Sequence, residues 1–431
     1  MISSVLAGAL LRRDIHYGWV VVGVTFLTML VTAGALGAPG ILMVPLEKEF
    51  GWDTAQISSA LALRFVLFGL MAPFAAVLLN RFGVRRMAVI ALTTIIVGLA
   101  VSLFMREIWQ FVALWGVLIG VGSGLTAMVL GATIATRWFS QRRGLVMGFL
   151  SATNATGQLI FQPMLAQVTE TFGWRATVSL ICAILAVAGV AIMLLMRDRP
   201  ADIGQPPYGE KNVTPAPVQQ SGLGPLLASP LMILRDAARV PLFWVLFGSF
   251  FICGASTGGL IQTHFVTLCG DYGIVPVGAA SVLAMMGAFD LLGTIGSGWL
   301  SDRYDNRWLL FWYYGLRGLS LIYLPFTNFT FYGLALFAVF YGLDWLATVP
   351  PTVRLTGERF GSERANVVFG WMFTGHQLGS AAVAYGAGLS RTIYASYLPA
   401  FFLSGALCLL AALLFMSLAK PRPRGLKPQP A

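Results

Sequence analysis

The feature that most constrains this chain is that its apolar residues come in unbroken runs of about twenty, the length a helix needs to cross the hydrocarbon of a bilayer. A window of about nineteen residues finds twelve such spans. They run near Tyr17 to Ala38, Thr54 to Leu79, Arg86 to Met105, Ile108 to Thr136, Arg142 to Gln167, Trp174 to Met196, Pro241 to Leu268, Pro276 to Leu300, Trp308 to Thr327, Phe329 to Leu355, Ala365 to Leu389 and Leu398 to Ala419. Composition agrees: the 431 residues are 57% hydrophobic and 10% charged, with mean hydropathy +0.78, whereas an average soluble domain has roughly 25% charged residues. A soluble globular protein is excluded. So is an outer-membrane β-barrel, whose strands would alternate polar and apolar residues. The expected fold is all-α and integral to the membrane. The first span lacks a convincing cleavage site and is followed at once by others, so it reads as a retained helix and not a signal peptide.

The net charge of +11 is explained by where the charges fall. Placing both termini on one side puts twenty-two basic residues there and leaves four, Lys48, Arg106, Arg175 and Arg391, on the other. That asymmetry orients a cell (inner) membrane protein with both ends and the central loop in the cytoplasm. The excess is thus a topology signal, with attraction to anionic lipid, and not a nucleic-acid surface. Cys182, Cys253, Cys269 and Cys408 lie within or at the ends of apolar runs without metal-ligand spacing. They read as free buried thiols, and neither a metal nor a cofactor is expected.

Between spans six and seven, residues 197–239 carry seven prolines (Pro200, Pro206, Pro207, Pro215, Pro217, Pro225 and Pro230) and read as a flexible cytoplasmic linker. Leu226 to Arg239 could instead form a short helix along the membrane surface. The linker separates an N-terminal six-helix bundle, 1–196, from a C-terminal one, 240–419, with a cytoplasmic tail at 420–431. The halves repeat. Asn80-Arg81-Phe82-Gly83-Val84-Arg85 after span two matches Asp302-Arg303-Tyr304-Asp305-Asn306-Arg307 after span eight at an offset of 222, and Gly148, Asn154 and Gly157 match Gly370, His376 and Gly379 at the same offset. Two parallel six-helix repeats imply a transporter whose site lies at their interface near the membrane midplane.

Twelve spans, a long central loop and these paired short loops resemble the major facilitator superfamily and its Gly-x-x-x-Asp-Arg-x-Gly-Arg-Arg loop signature over essentially the whole chain. Trp138-Phe139-Ser140-Gln141-Arg142-Arg143-Gly144, running on to Gly157, resembles the span-five signature of the monocarboxylate porters, and Tyr17-Gly18-Trp19 resembles the same family's other signature more loosely. The resemblance implies alternating access in the monocarboxylate and oxalate/formate branch. Two positions depart from it. Gly40 stands where those porters carry a lysine after the proline matching Pro39, and Thr294 stands where an arginine follows the aspartate matching Asp290.

A charge at the bilayer centre costs several kcal/mol, roughly 2.5 to 3.5 for Arg or Asp on insertion scales, so each needs a reason. Five ionisable residues are read as lying deep: Arg64, Asp290, Arg317, Asp344 and His376. Their formal sum is zero with His neutral, which suggests pairing. The planar guanidinium of Arg64 suits a carboxylate in a dry site; the alternative is a helix cap or a loop acid as partner. Asp290 is the candidate for proton coupling, since a carboxylate in a cavity can trade its charge for a proton as substrate comes and goes; the alternative is a permanent ion pair with Arg317. For Arg317 a structural role is favoured. Asp344 is either its partner or a cavity residue. His376 has Asn154 as its repeat mate, so both halves place a polar group at one depth, and Gln158 and Gln162 extend the Asn154 stripe along span five. That stripe should face water or substrate, although a histidine merely bonded between helices is the plainer reading.

Glycine-rich stretches inside the spans indicate close helix packing and not phosphate cradles, and Pro350-Pro351 marks a bend. No Walker loop, catalytic pair or sizeable soluble domain is present, so neither an ATP-driven pump, an enzyme nor a signalling receptor is favoured. The loop residues Asn80, Arg81, Gly83, Arg85, Asp302, Arg303 and Arg307 read as cytoplasmic gates. The expected protein is a secondary transporter, sufficient as a monomer, that moves a small organic anion with a proton. Arg64 would take the anion and Asp290 the proton, while Asn154, Gln158 and His376 line the cavity and Arg317 and Asp344 serve as supports. The competing expectations are a proton-driven exporter of amphipathic compounds and a binding-only sensor.

Overall fold

The protein is described by a computed structural model covering residues 2–126, 128–210, 212–213 and 223–417. Lys211, Pro215 and Pro217 of the expected linker lie outside the described residues, as does the 420–431 tail with Lys420, Arg422, Arg424 and Lys427. Apart from one isolated bridge, between Phe139 and Tyr208, the regular structure is helical. The first nine helices are α1 (Ile2–Leu11), α2 (Gly18–Phe50), α3 (Thr54–Phe82), α4 (Val84–Ser102), α5 (Ile108–Phe111), α6 (Ile119–Thr126), α7 (Met128–Trp138), α8 (Arg143–Phe172) and α9 (Trp174–Leu195). They are followed by α10 (Leu223–Ala237), α11 (Pro241–Gly254), α12 (Thr263–Asp271), α13 (Pro276–Ser301), α14 (Asn306–Tyr323), α15 (Phe331–Asp344), α16 (Val349–Phe360), α17 (Ser362–Tyr394) and α18 (Leu398–Ser417). Single wide π segments, Val112–Leu118 and Ala255–Gln262, join α5 to α6 and α11 to α12.

A helical segment overlies each of the twelve apolar ranges. Nine segments among the described residues are long and apolar enough to cross a membrane. Outside that set are α8, with Asn154, Gln158 and Gln162, α17, with His376 and Gln377, and α14, rich in Trp, Tyr and Arg. The first span runs to Phe50, past Pro39 and Pro45 where the sequence reading stopped it. In a membrane, neighbouring helices can re-satisfy the backbone groups a proline frees, so proline is a weaker stop there than in water. The turn into α3 is closed by Gly51 at φ 68° and by a reciprocal cap: Gln56 N donates to Asp53 Oδ1 (2.7 Å) and Asp53 N to Gln56 Oε1 (3.1 Å).

Two contacts, the first of them antiparallel, tie the early helices to the late ones. α3 runs along α17: Ala55 N donates to Thr392 Oγ1 (3.2 Å) at one end, Thr374 Oγ1 to Gly69 O (2.9 Å) in the middle, and the Phe74 and Trp371 rings meet at 6.0 Å towards the other end. α8 runs along α13, where Gly287 packs on the backbone of Ala155. α11 crosses α17 through reciprocal glycines. A Cβ on Gly254 would lie 1.7 Å from His376 O, and one on Gly379 would lie 1.9 Å from Phe251 O. Such crossings let backbones approach where lipid supplies no hydrophobic drive between helices.

The linker is ordered where it is described next to the first half. His16 Nε2 meets Pro206 O at 2.9 Å, Tyr208 N donates to Trp138 O (2.8 Å), and the rings of His16, Trp19, Phe139 and Tyr208 cluster. The alternative helix expected at Leu226 to Arg239 is α10, pinned by Trp371 Nε1 donating to Pro230 O (2.9 Å).

Because no side chain fits at the α11–α17 crossing, Gly379→Val should destabilise the protein by about 1–3 kcal/mol or more, read as a lowered Tm in detergent. Gly386→Ala, on the same helix with open space around it, should leave the Tm unchanged or slightly raised.

Candidate functional site

Arg64, in the middle of α3, is only 2% exposed. Its Nη1 donates to Leu36 O (3.1 Å), its guanidinium stands 4.9 Å from the Phe65 ring, and its Nε has no partner. Among the described residues no carboxylate forms an ion pair with it. The next carbonyl along α2, Gly37 O, accepts from Gln162 Nε2 (3.4 Å) of α8, and a Cβ on Gly37 would lie 3.9 Å from Gln262 Nε2. Arg64, Gln162 and Gln262 therefore converge on Leu36–Gly37 from three helical segments.

Around this point lie other polar groups with unmet hydrogen-bonding capacity. Gln158, one turn before Gln162 on α8, is buried against Gly287 of α13, and Gln377 of α17 is buried against Gly69 of α3. The Oε1 atoms of Gln158, Gln162 and Gln377 have no partner. An unmet buried polar group costs about 1–3 kcal/mol, so several near one unpaired guanidinium mark a place completed by something else. Asn154 is half-buried a further turn along the same face. Gly40 has a steric reason: a Cβ there would fall 2.6 Å from Gln262 O, so the lysine of the resembled porters does not fit this packing.

The second polar group lies entirely among α11 to α17. Arg317, fully buried, donates from Nε to Asp344 Oδ2 (2.6 Å), from Nη1 to Cys253 Sγ (2.8 Å), and from Nη2 to Asp344 O (2.5 Å) and Trp345 O (3.0 Å). Its partner is thus Asp344, not Asp290. Asp290 accepts from Thr294 Oγ1 (2.9 Å) and from Leu346 N (3.0 Å). Thr294, which replaces the resembled arginine, gives Asp290 a neutral donor in place of a cation.

These bonds gather on a break. The tenth span stops at Asp344 and resumes at Val349 with Pro350-Pro351 in its first turn. Arg317, Asp290 and Ser297, whose Oγ donates to Ala347 O (2.5 Å), take up backbone groups freed there. His376 is half-buried, stacked on Phe373 (5.8 Å) and edge-on to Phe250 (5.8 Å), with Nε2 3.4 Å from Thr257 Oγ1 and Nδ1 unpartnered. Cys253 meets Arg317 on one side and His376 on another. Arg64 and the glutamines thus form one polar group, and Asp290, Arg317, Asp344, Cys253 and His376 the other.

Several of the residues read as gates have partners close to them in the chain or in the linker. Asn80 Oδ1 accepts from Arg137 Nη2 (2.5 Å), and Asp198 Oδ1 accepts from Arg85 N (2.8 Å) beside Gly83, whose φ is 87°. Asp302 Oδ1 pairs with Arg354 Nη1 (2.5 Å), Arg307 with Asp305, and Arg303 lies over the Trp299 ring (4.1 Å). Arg81, expected in the loop, lies in the last turn of α3.

The sequence reading missed Cys253, Gln262, Gln377 and His264. His264 is a sixth deep ionisable group, fully buried, with Nε2 2.8 Å from Ala384 O and Nδ1 3.2 Å from Tyr397 OH. Polarity inside an apolar span, the signal that flagged Gln158, was present at His264, Gln262 and Gln377; Cys253 was read as a free buried thiol, and nothing in the sequence flagged it as a partner of Arg317. Because Arg317 and Asp344 satisfy each other in the interior, Arg317→Met or Asp344→Leu alone should cost about 3–5 kcal/mol by stranding a buried charge. The double variant should cost less than either, in a cycle of unfolding free energies.

The family model of the Major Facilitator Superfamily matches residues 24–384. Monocarboxylate transporter 12-B of Danio rerio is 26% identical over 436 residues, covering 96% of this chain and 89% of that one. Monocarboxylate transporter 13 of Rattus norvegicus is 25% identical, covering 92% and 87%. An uncharacterized transporter of the same superfamily, YcxA of Bacillus subtilis, is 23% identical, covering 90% and 92%. Among solved structures, a mutant of the nucleoside transporter NupG superposes with a TM-score of 0.71 at 11% identity, over 93% of this chain and 99% of that one. That likeness establishes the fold. The curated relatives are transporters and not enzymes, and with the family model across most of its length the chain belongs to the major facilitator superfamily, as a multi-pass membrane transporter of a small molecule.

Proposed function

We propose that the protein moves a small organic monoanion together with a proton by alternating access between two six-helix halves, twelve spans in all, with both termini cytoplasmic. The observation that carries this reading is Arg64: a guanidinium 2% exposed, with Nε open and no carboxylate partner among the described residues. A buried cation is stable only when paired and hydrogen-bonded, and a carboxylate brought by the substrate completes it. The other interior guanidinium, Arg317, already has Asp344. One open cation favours one carboxylate per substrate over two, in line with the monocarboxylate transporters among the relatives.

Asn154, Gln158 and His376 line the route, and Asp290 carries the proton. Among the described residues its hydrogen-bond partners are a hydroxyl and a backbone N–H, with no direct cation to hold it permanently ionised. Protonation and substrate occupancy can then alternate, as coupling requires. The segments at Asn80, Arg81, Gly83 and Arg85 and at Asp302, Arg303 and Arg307 act as the cytoplasmic gate.

Uptake of labelled monocarboxylates and dicarboxylates into proteoliposomes, with and without an inward proton gradient, tests the assignment. One monocarboxylate should accumulate with the gradient. Arg64→Gln should lower its transport by about a hundredfold, the scale of losing a buried charge partner, and Asp290→Asn should retain exchange while losing accumulation. Movement of a lipophilic cation with no acid moved would replace this reading with an exporter.

A further inference from the structure

We propose that Arg391 is the latch of the outward gate, holding the end of the protein opposite the basic loops closed by reaching from the second half to Glu47 and Thr54 of the first. The inference rests on the alternating-access reading and on the sidedness given by the distribution of basic residues.

Arg391 lies near the end of α17. Within its own half it is held by Asp271 of α12, with Nη2 2.8 Å from Oδ1 and Nε 3.1 Å from Oδ2, and its guanidinium stands 5.7 Å from the Tyr397 ring. Tyr397 is itself fixed by His264, which is bonded to Ala384 O. This bidentate clamp presets the cation without help from the first half. The remaining nitrogen, Nη1, crosses the seam: it donates to Thr54 Oγ1 (2.8 Å) and lies 3.4 Å from both oxygens of Glu47. Thr54 in turn donates to Glu47.

The ion-pair contacts are therefore graded as a reclosable latch needs. The bidentate pair with Asp271 stays inside one half (2.8 and 3.1 Å), whereas the charge contact with Glu47 that spans the two is longer (3.4 Å) and is accompanied by one 2.8 Å bond to Thr54. The side chains of Arg391 and Glu47 are 24% and 18% exposed, wet enough to separate without stranding a charge in a dry interior. Two further contacts seal the same end. Thr392 Oγ1 accepts from Ala55 N (3.2 Å), and Gly388 lets the backbones close, since a Cβ there would lie 2.4 Å from Ser58 Oγ and 3.0 Å from Thr54 O.

The repeat supplies an internal contrast. The offset of 222 residues sets Glu49 opposite Asp271, and Glu49 accepts from Trp174 Nε1 (2.6 Å) and pairs with Arg175 (2.6 Å), both within the first half. Only in the second half does the arginine that clamps this position also reach across.

The test uses the full chain in proteoliposomes without substrate, with spin labels at Lys48→Cys and Tyr394→Cys, both exposed, and the chain lacking these cysteines labelled in parallel as background. Distances across the seam should show a short and a long population. Glu47→Gln, which keeps the shape and removes the charge, should raise the long-to-short ratio about five- to tenfold. Thr392→Val should raise it by a smaller factor, and Glu49→Gln should leave it unchanged. Two populations whose ratio stays within about twofold of wild type in both Glu47→Gln and Thr392→Val would overturn the latch alone. A single population in every variant would overturn the latch and the alternating-access reading together.

Discussion

The buried guanidinium of Arg317 is the interaction on which the second half depends. A cation fully inside the protein is tolerable only when its donors are spent, and here they are spent on one carboxylate, two backbone carbonyls and one thiol. Those carbonyls are free because the helix breaks after Asp344. The arginine and the break support each other: without the break it would lack acceptors, and without the arginine the break would leave polar backbone unmet at membrane depth. Asp290 and Ser297 meet the other side of the same break. One local departure from helix thus fixes α13, α14 and α15 to each other and determines where Asp290 lies.

Arg64 presents the opposite case. It has one backbone partner and an open Nε, and it lies where α2, α3 and α8 meet the π segment that carries Gln262. The two interior arginines divide the work that buried charge can do in a membrane protein. One is saturated and holds structure; the other is unsaturated and has capacity for a ligand. The contrast lies in their hydrogen bonds and not in their burial, which is nearly the same.

Much of this was legible in advance. Runs of apolar residues located the helical segments, and the cost of burying charge singled out Arg64, Asp290, Arg317 and Asp344. The choice between Asp290 and Asp344 as the partner of Arg317 stayed open because spacing along separate helices does not fix their rotation about their axes. His264 escaped notice although it is polar in an apolar span: His376 is marked by a polar repeat mate, Asn154, whereas the residue 222 before His264 is the apolar Leu42. The first helix runs on to Phe50, past the apolar window that ends near Ala38, because a hydropathy window locates the membrane crossing and not the end of the helix.

The sequence by itself determined that this chain is a set of membrane helices, that short motifs recur at an offset of 222 residues, and that a few ionisable side chains fall inside apolar spans. These are properties of composition, period and local length, which survive without knowing any neighbour. Only the tertiary structure decided which of those side chains are satisfied. It paired Arg317 with Asp344, gave Asp290 a threonine and a backbone N–H, left Arg64 open, and carried Arg391 across to Glu47. Hydrogen-bond satisfaction depends on distances of about 3 Å between residues far apart in the chain, and helix crossings and breaks, not sequence spacing, set those distances.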